Sequence, residues 1–99
     1  MYLEAAPEDV GKLTWSEAMA AAQNYKHSGF SDWYLPSIDE LKQLCTQRVA
    51  VGNQLPTDYW SSSDEGGNQA WTQHFGLGDQ TFDGKYYAYY VRPVRAFSI

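Results

Sequence analysis

Two capping signals fix where the helices of this chain begin. Residues 14–17 (TWSE) and residues 37–40 (SIDE) each place a hydroxyl residue three positions before a glutamate. In such a capping box the hydroxyl accepts a hydrogen bond from a first-turn amide, and the glutamate carboxylate accepts one from the amide of the capping residue. The first signal predicts a helix from Trp15 to about His27, and the second predicts one from Ile38 to about Arg48.

Apolar residues recur at helical spacing after both signals. The first stripe consists of Trp15, Ala18, Met19, Ala22 and Tyr25, and the second of Ile38, Leu41, Leu44 and Cys45. The pair Ser28-Gly29 offers the left-handed residue that commonly ends a helix. Both segments are therefore predicted to be amphipathic helices that face one core.

The remaining segments have strand character. Residues 2–6, 59–62 and 70–75 are predicted strands, with turns at 64–68 and 76–79 and a further hairpin turn at 79–84. The first strand is expected to pair with the C-terminal strand, in which Pro93 fits a bulge between Val91 and Val94. The predicted fold class is α+β, with two helices packed on a twisted antiparallel sheet.

Length and cysteine content limit how such a fold is held together. Ninety-nine residues make one domain with one core, and 16% of them are aromatic, so large rings must supply much of that core. The single cysteine, Cys45, cannot form an internal disulfide or a thiolate metal cage, and its place on the second stripe favours a small core filler. Packing alone is expected to stabilise the domain.

The charge balance excludes several classes of partner. A formal charge of −5, with only seven basic residues, is unsuited to a nucleic-acid groove or an anionic membrane surface. No apolar run is long enough for membrane insertion, and no signal peptide is evident. The location stays open, including display on a cell or virion surface through a fusion partner.

The segment between the predicted strands has the composition of a binding surface. Residues 63–89 are rich in Tyr, Gly, Asp, Asn, Thr and Ser, as antibody paratopes are. The run 86–90 (YYAYY) suggests recognition, although aromatic residues also pack well within sheets. Because neighbouring strand residues point to opposite faces, these tyrosines cannot all enter one core. Tyr86 and Tyr87 are the pair that should distinguish the two interpretations.

The candidate ligand-binding residues are polar, small or aromatic residues within 63–89. They are Asp64, Gly66, Asn68, Thr72, His74, Phe82, Asp83, Tyr86, Tyr87, Ala88 and Tyr89. We predict no catalytic residue, metal site or cofactor. Neither histidine has an evident acid or nucleophile as its partner, and residues 79–84 lack the oxygen ligands of a calcium loop. The adjacent acids Asp64 and Glu65 are best interpreted as solvated turn residues.

Several motifs, taken together, resemble the Lcl C-terminal domain family. They are residues 31–41 (SDWYLPSIDEL), 59–62 (YWSS), Ala70-Trp71 with Phe75, and 90–95 (YVRPVR). That family is related to the C-type lectin and formylglycine-generating enzyme folds, and the chain is most similar to variable proteins of diversity-generating retroelements. The resemblance implies a framework at 1–62 and 90–99 around a variable binding region at 63–89. Two positions depart from the family pattern, which usually has Arg at Tyr34 and an apolar residue at Gln73.

The expected function is therefore a non-enzymatic ligand-recognition module whose partner is a protein or a glycan. An adhesin or structural assembly domain, which uses the same tyrosines to self-associate or to cap a surface fibre, is the alternative, and a homo-oligomer would fit it. We expect Arg92 and Arg95 to have a structural role, in which hydrogen bonds or ion pairs, for example with Asp32, Asp39 or Glu40, tie the C-terminal strand to the helices.

Overall fold

The computed structural model describes residues 2–52 and 54–98, apart from the side chain of Ala50. Its helices are α1 (Trp15–Gln23), α2 (Ile38–Thr46) and the short α3 (Arg48–Val51). Its strands are β1 (Tyr2–Ala5), β2 (Lys12–Leu13), β3 (Asp58–Gly66), β4 (Gln69–His74), β5 (Gln80–Gly84), β6 (Tyr89–Tyr90) and β7 (Val94–Phe97).

The strands form two sheets. β1 pairs antiparallel with β7, as expected for the first and last segments. The other five strands follow the order β2-β6-β3-β4-β5, in which β3 and β6 run parallel and the remaining pairs are antiparallel. Both longer helices pack against β3. The α+β class and the packing of two helices on sheet are confirmed.

Both capping boxes form, but the first helix is shorter than predicted. The Thr14 amide donates to Glu17 Oε1 at 3.0 Å, and the Ser37 amide donates to Glu40 Oε1 at 2.9 Å. α1 ends at Gln23 rather than near His27, because Tyr25 leaves the helix to pack edge-on against Trp33, with ring centroids 5.1 Å apart. The positive φ angles of Ser28 and Gly29 belong instead to a tight turn at 27–30.

Adjacent residues of β3 point into two separate cores. Trp60 faces one cluster with Ala18, Ala22, Leu35, Ala70 and Val91. Tyr59 faces the other with Leu41, Leu44, Cys45, Phe75 and Val94. Alternation along a strand sends successive side chains to opposite faces, so β3 is buried on both sides. The prediction that Cys45 is a core filler is confirmed.

The C-terminal segment differs from its prediction. Instead of one strand with a bulge, β6 and β7 lie in different sheets and are joined by the buried residues 91–93. Pro93 breaks the ladder here, and its carbonyl accepts a hydrogen bond from the Ala6 amide at 2.8 Å. Residues 80–84 were also assigned wrongly, because they form strand β5 rather than a turn.

The two arginines do tie the C-terminal segment to the rest of the domain. Arg95 is paired with Asp32 at 2.8 Å, as expected, and with Glu4 at 3.1 Å. Arg92 donates to the carbonyls of Ala6 and Gly52. Asp39 and Glu40 were wrongly proposed as partners.

The two departures from the family pattern each have a local solution. Tyr34 donates its hydroxyl to Glu40 Oε2 at 2.8 Å, where a cation would have formed an ion pair. Gln73 is buried, but its amide nitrogen donates to the carbonyls of His74 and Asp79, and its oxygen accepts from Gln80 at 3.0 Å. A polar group at this position is therefore satisfied inside the fold.

Candidate functional site

Lys85 fixes the hairpin that connects β3 to β4. Its Nζ lies 2.9 Å from Asp64 Oδ1 and donates to the Gly67 carbonyl at 3.0 Å, and its amide donates to the Asn68 carbonyl at 2.6 Å. Asp64 Oδ1 also accepts from the Gly66 amide, and these donors lower the pKa of Asp64. The same ammonium lies 4.4 Å from the centre of the Trp15 ring. Sequence reasoning did not place Lys85 in the site, because its role depends on contacts with distant segments.

Tyr86 and Tyr87 lie in a turn that follows β5. The Tyr87 amide donates to the Gly84 carbonyl at 3.0 Å, which closes the turn. Their side chains are 72% and 49% exposed, and their ring centroids are only 4.8 Å apart. The two rings therefore lie side by side, whereas strand alternation predicted that they would point to opposite faces. That prediction is wrong because the pair lies in a turn and not in a strand. Both rings nevertheless reach solvent.

Gly84 is what lets the Tyr86 ring lie close to the backbone. A Cβ atom at position 84 would be only 2.7 Å from the Tyr86 ring, well inside van der Waals contact. Gly84 has no positive φ, so close approach, and not backbone strain, is the reason for glycine here.

A continuous series of rings connects the exposed tyrosines to the core. We call Tyr86, Tyr87, Tyr89 and Trp60 the aromatic ladder. Its successive ring centroids are 4.8, 6.4 and 5.0 Å apart, and the last pair meets edge to face. The buried end is anchored by a hydrogen bond from Trp60 Nε1 to the Leu13 carbonyl at 2.8 Å. Exposure thus falls stepwise from Tyr86 to Trp60, which is fully buried.

Tyr89 lies between the exposed tyrosines and the buried Trp60 in the aromatic ladder, and it is only partly exposed. Its hydroxyl donates to Asp83 Oδ2 at 2.6 Å, and its ring is half-buried. Burial and the Asp83 carboxylate raise the pKa of Tyr89, because both disfavour the phenolate. Tyr89 therefore orients Asp83 and supports Tyr87.

A shallow, mainly polar depression lies beside the outer rings. Its volume is about 590 Å³, and it is lined by Gly66, Gly67, Asn68, Gln69, Asp83, Gly84, Tyr86 and Tyr87. Five of the predicted residues thus meet there, and the predicted Ala88 is exposed just beyond them. Gly67, Gln69 and Gly84 were missed, although the pairing of Gln69 with Gly84 follows from extending the β4–β5 hairpin.

Six predicted residues do not line this depression. They are Asp64, Ala88 and Tyr89, described above, and Thr72, His74 and Phe82. Thr72 is fully buried and its hydroxyl donates to the Thr81 carbonyl, so the expectation that it faces a ligand does not fit its position. His74 Nδ1 accepts hydrogen bonds from the amides of Gly76 and Leu77, which stabilises the turn after β4. Phe82, which is 41% exposed, meets the Trp71 ring edge to face at 5.1 Å.

The carboxylates of Asp58, Asp79 and Asp83 lie close enough together on this sheet to influence one another. Burial raises the pKa of Asp58, and the nearby charges of Asp83 and Asp79 add to that effect while His74 opposes it. The neighbouring Tyr86 raises the pKa of Tyr87. Within residues 2–52 and 54–98, no group of three acidic, histidine or cysteine side chains is arranged to hold a metal ion.

The comparisons with known proteins bear on the framework around this site. The family model described as the Lcl C-terminal domain matches residues 4–95. The chain belongs to this family. A search of curated proteins found no significant match. Among the described residues, no helix has the length and apolar character needed to cross a membrane.

Proposed function

We propose that this Lcl C-terminal domain is a non-enzymatic recognition module that binds a protein or glycan through the depression and the outer rings of the aromatic ladder. The ladder is the observation that carries the proposal. Two adjacent exposed tyrosine rings form an aromatic patch of the kind that marks interaction sites, and they are held by ring contacts that continue into the core.

The chemistry of the depression suits recognition. Tyrosine rings supply a large amphipathic contact area with few rotatable bonds, so little conformational entropy is lost on binding. Backbone groups of the glycines, the amides of Asn68 and Gln69 and the Asp83 carboxylate supply hydrogen bonds at the same place. Lys85 restrains the hairpin before any ligand arrives, which reduces the cost of ordering it.

We further propose that the domain has a C-type lectin-like fold and that residues 63–89 are diversified by a retroelement. The exposure of Asn68, Tyr86 and Ala88 supports diversification, because substitutions there would leave both cores intact. A near-copy of the codons for 60–97 that differs mainly at adenines, next to a reverse-transcriptase reading frame, is the expected genomic signature. Sequenced flanking DNA without that signature would contradict diversification.

The binding proposal is tested by the double variant Tyr86→Ala/Tyr87→Ala. Binding of the wild-type domain would be screened on arrays of glycans and of purified surface proteins, and each hit would be measured again with the variant. We expect hits to weaken by tenfold or more, since aromatic anchors at interfaces commonly contribute over 1 kcal/mol each. The melting temperature should change little, because both rings are exposed.

Tyr2→Ala is the matched control. Tyr2 is also exposed and also stacks on another ring, that of Phe97 at 5.7 Å, but it lies in β1. It should bind every hit as the wild type does. Equal binding by the double variant and the wild type would refute the proposed site.

A second candidate function is self-assembly, which the Tyr2–Phe97 stack favours. A head-to-tail contact joins two different patches of the same molecule, and this stack and the outer tyrosines are two separate exposed aromatic patches. Light scattering separates the candidates. A concentration-dependent oligomer that either the double variant or Tyr2→Ala abolishes would indicate assembly, whereas a monomer at all concentrations would favour an external partner.

A further inference from the structure

We propose that β5 is a docking strand, to which a basic, extended segment of a partner protein adds as the next strand of the five-stranded sheet. This inference rests on the proposed recognition function and names the chemistry of its partner. β5 stands at one end of the strand order, and among the described residues β4 is its one neighbour. Main-chain hydrogen bonds to such an edge provide affinity, and side-chain contacts at alternate positions provide specificity.

The register shows which backbone groups face outwards. At one end of the β4–β5 ladder the His74 amide donates to the Asp79 carbonyl, and just beyond the other end the Lys85 amide donates to the Asn68 carbonyl. In an antiparallel sheet, pairs that exchange hydrogen bonds alternate with pairs that do not. Between these two ends of the ladder, the pairs that exchange hydrogen bonds are therefore Thr72 with Thr81 and Ala70 with Asp83. Gln80 and Phe82 therefore direct their N–H and C=O groups away from β4.

The two faces of this edge have different chemistry. Asp79 and Asp83 lie on one face, close enough to Asp58 to influence its ionisation. Phe82 lies on the other face beside Trp71. The whole chain carries a formal charge of −5. Charge complementarity therefore selects a basic occupant and disfavours a second copy of this chain.

The alternation of side chains gives the occupant a pattern. If the added strand runs antiparallel to β5, its residue opposite Asp83 points to the same face of the sheet as Asp83. The next residue along the added strand then lies opposite Phe82 and points to the other face. The segment should therefore carry Lys or Arg opposite Asp83 and Asp79, with an aromatic or branched apolar residue opposite Phe82. The synthetic peptide acetyl-Thr-Arg-Phe-Thr-Val-Arg-Thr-amide has this pattern.

The test compares Phe82→Pro with Phe82→Ala. Both variants lack the ring, but only proline also lacks the outward N–H, and proline is tolerated at an edge position whose N–H faces solvent. Titration of the peptide into labelled domain should shift the amide resonances of Gln80 and Phe82 in the wild type. Binding to Phe82→Pro should be roughly three- to tenfold weaker than to Phe82→Ala, which corresponds to the loss of one hydrogen bond.

Two further peptides keep the proposal testable if Phe82→Pro folds poorly. A peptide methylated on the amide nitrogen of its phenylalanine should bind the wild-type domain several-fold more weakly, because that N–H is the donor to Phe82. A peptide with Glu in place of both Arg residues should bind at least about tenfold more weakly. Equal binding of the methylated and unmethylated peptides, or of the Arg and Glu peptides, would overturn the proposal.

The outcomes also separate this inference from the proposed function. If hits from the arrays depend on Tyr86 and Tyr87 while the peptide fails to bind, the recognition site stands and the docking strand is refuted. If the domain instead forms a dimer that Phe82→Pro dissociates and Phe82→Ala does not, the edge is occupied by a second copy, and the proposal of a basic partner is overturned.

Discussion

Replacing Arg92 by Ala should be among the most damaging single changes in this domain. The side chain is 2% exposed, and its guanidinium donates to the carbonyls of Ala6 and Gly52. Its Nη1 also lies 3.6 Å from Asp9 Oδ1, which is close enough for charge attraction but too long for a hydrogen bond. The variant would leave two carbonyls without donors and a largely buried carboxylate without a counter-charge.

Breaking a buried charge pair in this way costs about 3–5 kcal/mol. The whole domain, at roughly 0.05–0.15 kcal/mol per residue, is stabilised by only about 5–15 kcal/mol. With a shift of about 4–8 °C per kcal/mol for a domain of this size, we expect the melting temperature to fall by at least about 12 °C. Thermal unfolding followed by circular dichroism measures this directly.

A matched control and a pH series sharpen the test. Arg48 also donates to a carbonyl, that of Cys45 at 2.9 Å, but it is exposed, so Arg48→Ala should change the melting temperature by only a few degrees. Burial already raises the pKa of Asp9, and loss of Arg92 should raise it further. A raised native pKa means that the folded state binds the proton more tightly, so the penalty should shrink as the pH falls towards 4. A melting temperature for Arg92→Ala equal to that of Arg48→Ala would refute the reasoning.

Three further changes test other parts of the fold. Gly84→Ala should displace the Tyr86 ring, because a Cβ–ring distance of 2.7 Å must increase by about 0.7 Å to reach an ordinary separation of 3.4 Å. Any ligand found in the array screen should therefore bind this variant as weakly as it binds Tyr86→Ala, and the melting temperature should stay near that of the wild type. Retained binding would contradict the role of Gly84. Gln73→Leu removes the buried amide, but the groups that contact it keep other hydrogen-bond partners: Gln80 Nε2 also donates to the Ile38 carbonyl, and the carbonyls of Asp79 and His74 accept from the amides of His74 and Gly78. Stability should therefore change by less than about 1 kcal/mol in chemical denaturation, whereas a loss of about 3 kcal/mol would show that the amide is required. The hydrogen bond from Arg95 lowers the pKa of Asp32, so the stabilisation that the ionised carboxylate provides is present above about pH 4 and is lost as the pH falls through the lowered pKa. Asp32→Asn should therefore melt below the wild type at pH 7, and the difference should shrink as the pH falls below about 4. A difference that is independent of pH would contradict this.

The sequence predicted those features that depend on local chemistry. The capping boxes located the starts of α1 and α2, because their hydrogen bonds join residues three positions apart. The helix end near His27 was wrong, since Tyr25 is drawn out of the helix by Trp33, a contact that no local pattern reveals. The division of the last segment into β6 and β7 was missed for the same reason, because it follows from pairing with β3 and with β1.

In the candidate site too, the sequence predicted only the features that do not depend on contacts between distant segments. Composition drew attention to Tyr86 and Tyr87, and the structure does expose them. Composition could not separate Thr72, which lies inside the sheet, from exposed threonines. It also could not find Lys85, since the residues that define its role come from two distant segments, the β3–β4 hairpin with Asp64 and Gly67 and the start of α1 with Trp15.

The aromatic ladder gives a physical reason why tolerance to substitution should differ among its four rings. Each ring is positioned by the ring below it, and the lowest, Trp60, is fixed by the Leu13 carbonyl in a fully buried cluster. A substitution at Tyr86 removes only the outermost ring, so it changes the surface that a ligand would contact but leaves the packing of the inner rings intact. Changes at Tyr89 would instead release Asp83 and uncover Trp60, so stability and binding would fall together. Tolerance to substitution should therefore decrease inwards along the ladder, in the order in which exposure decreases.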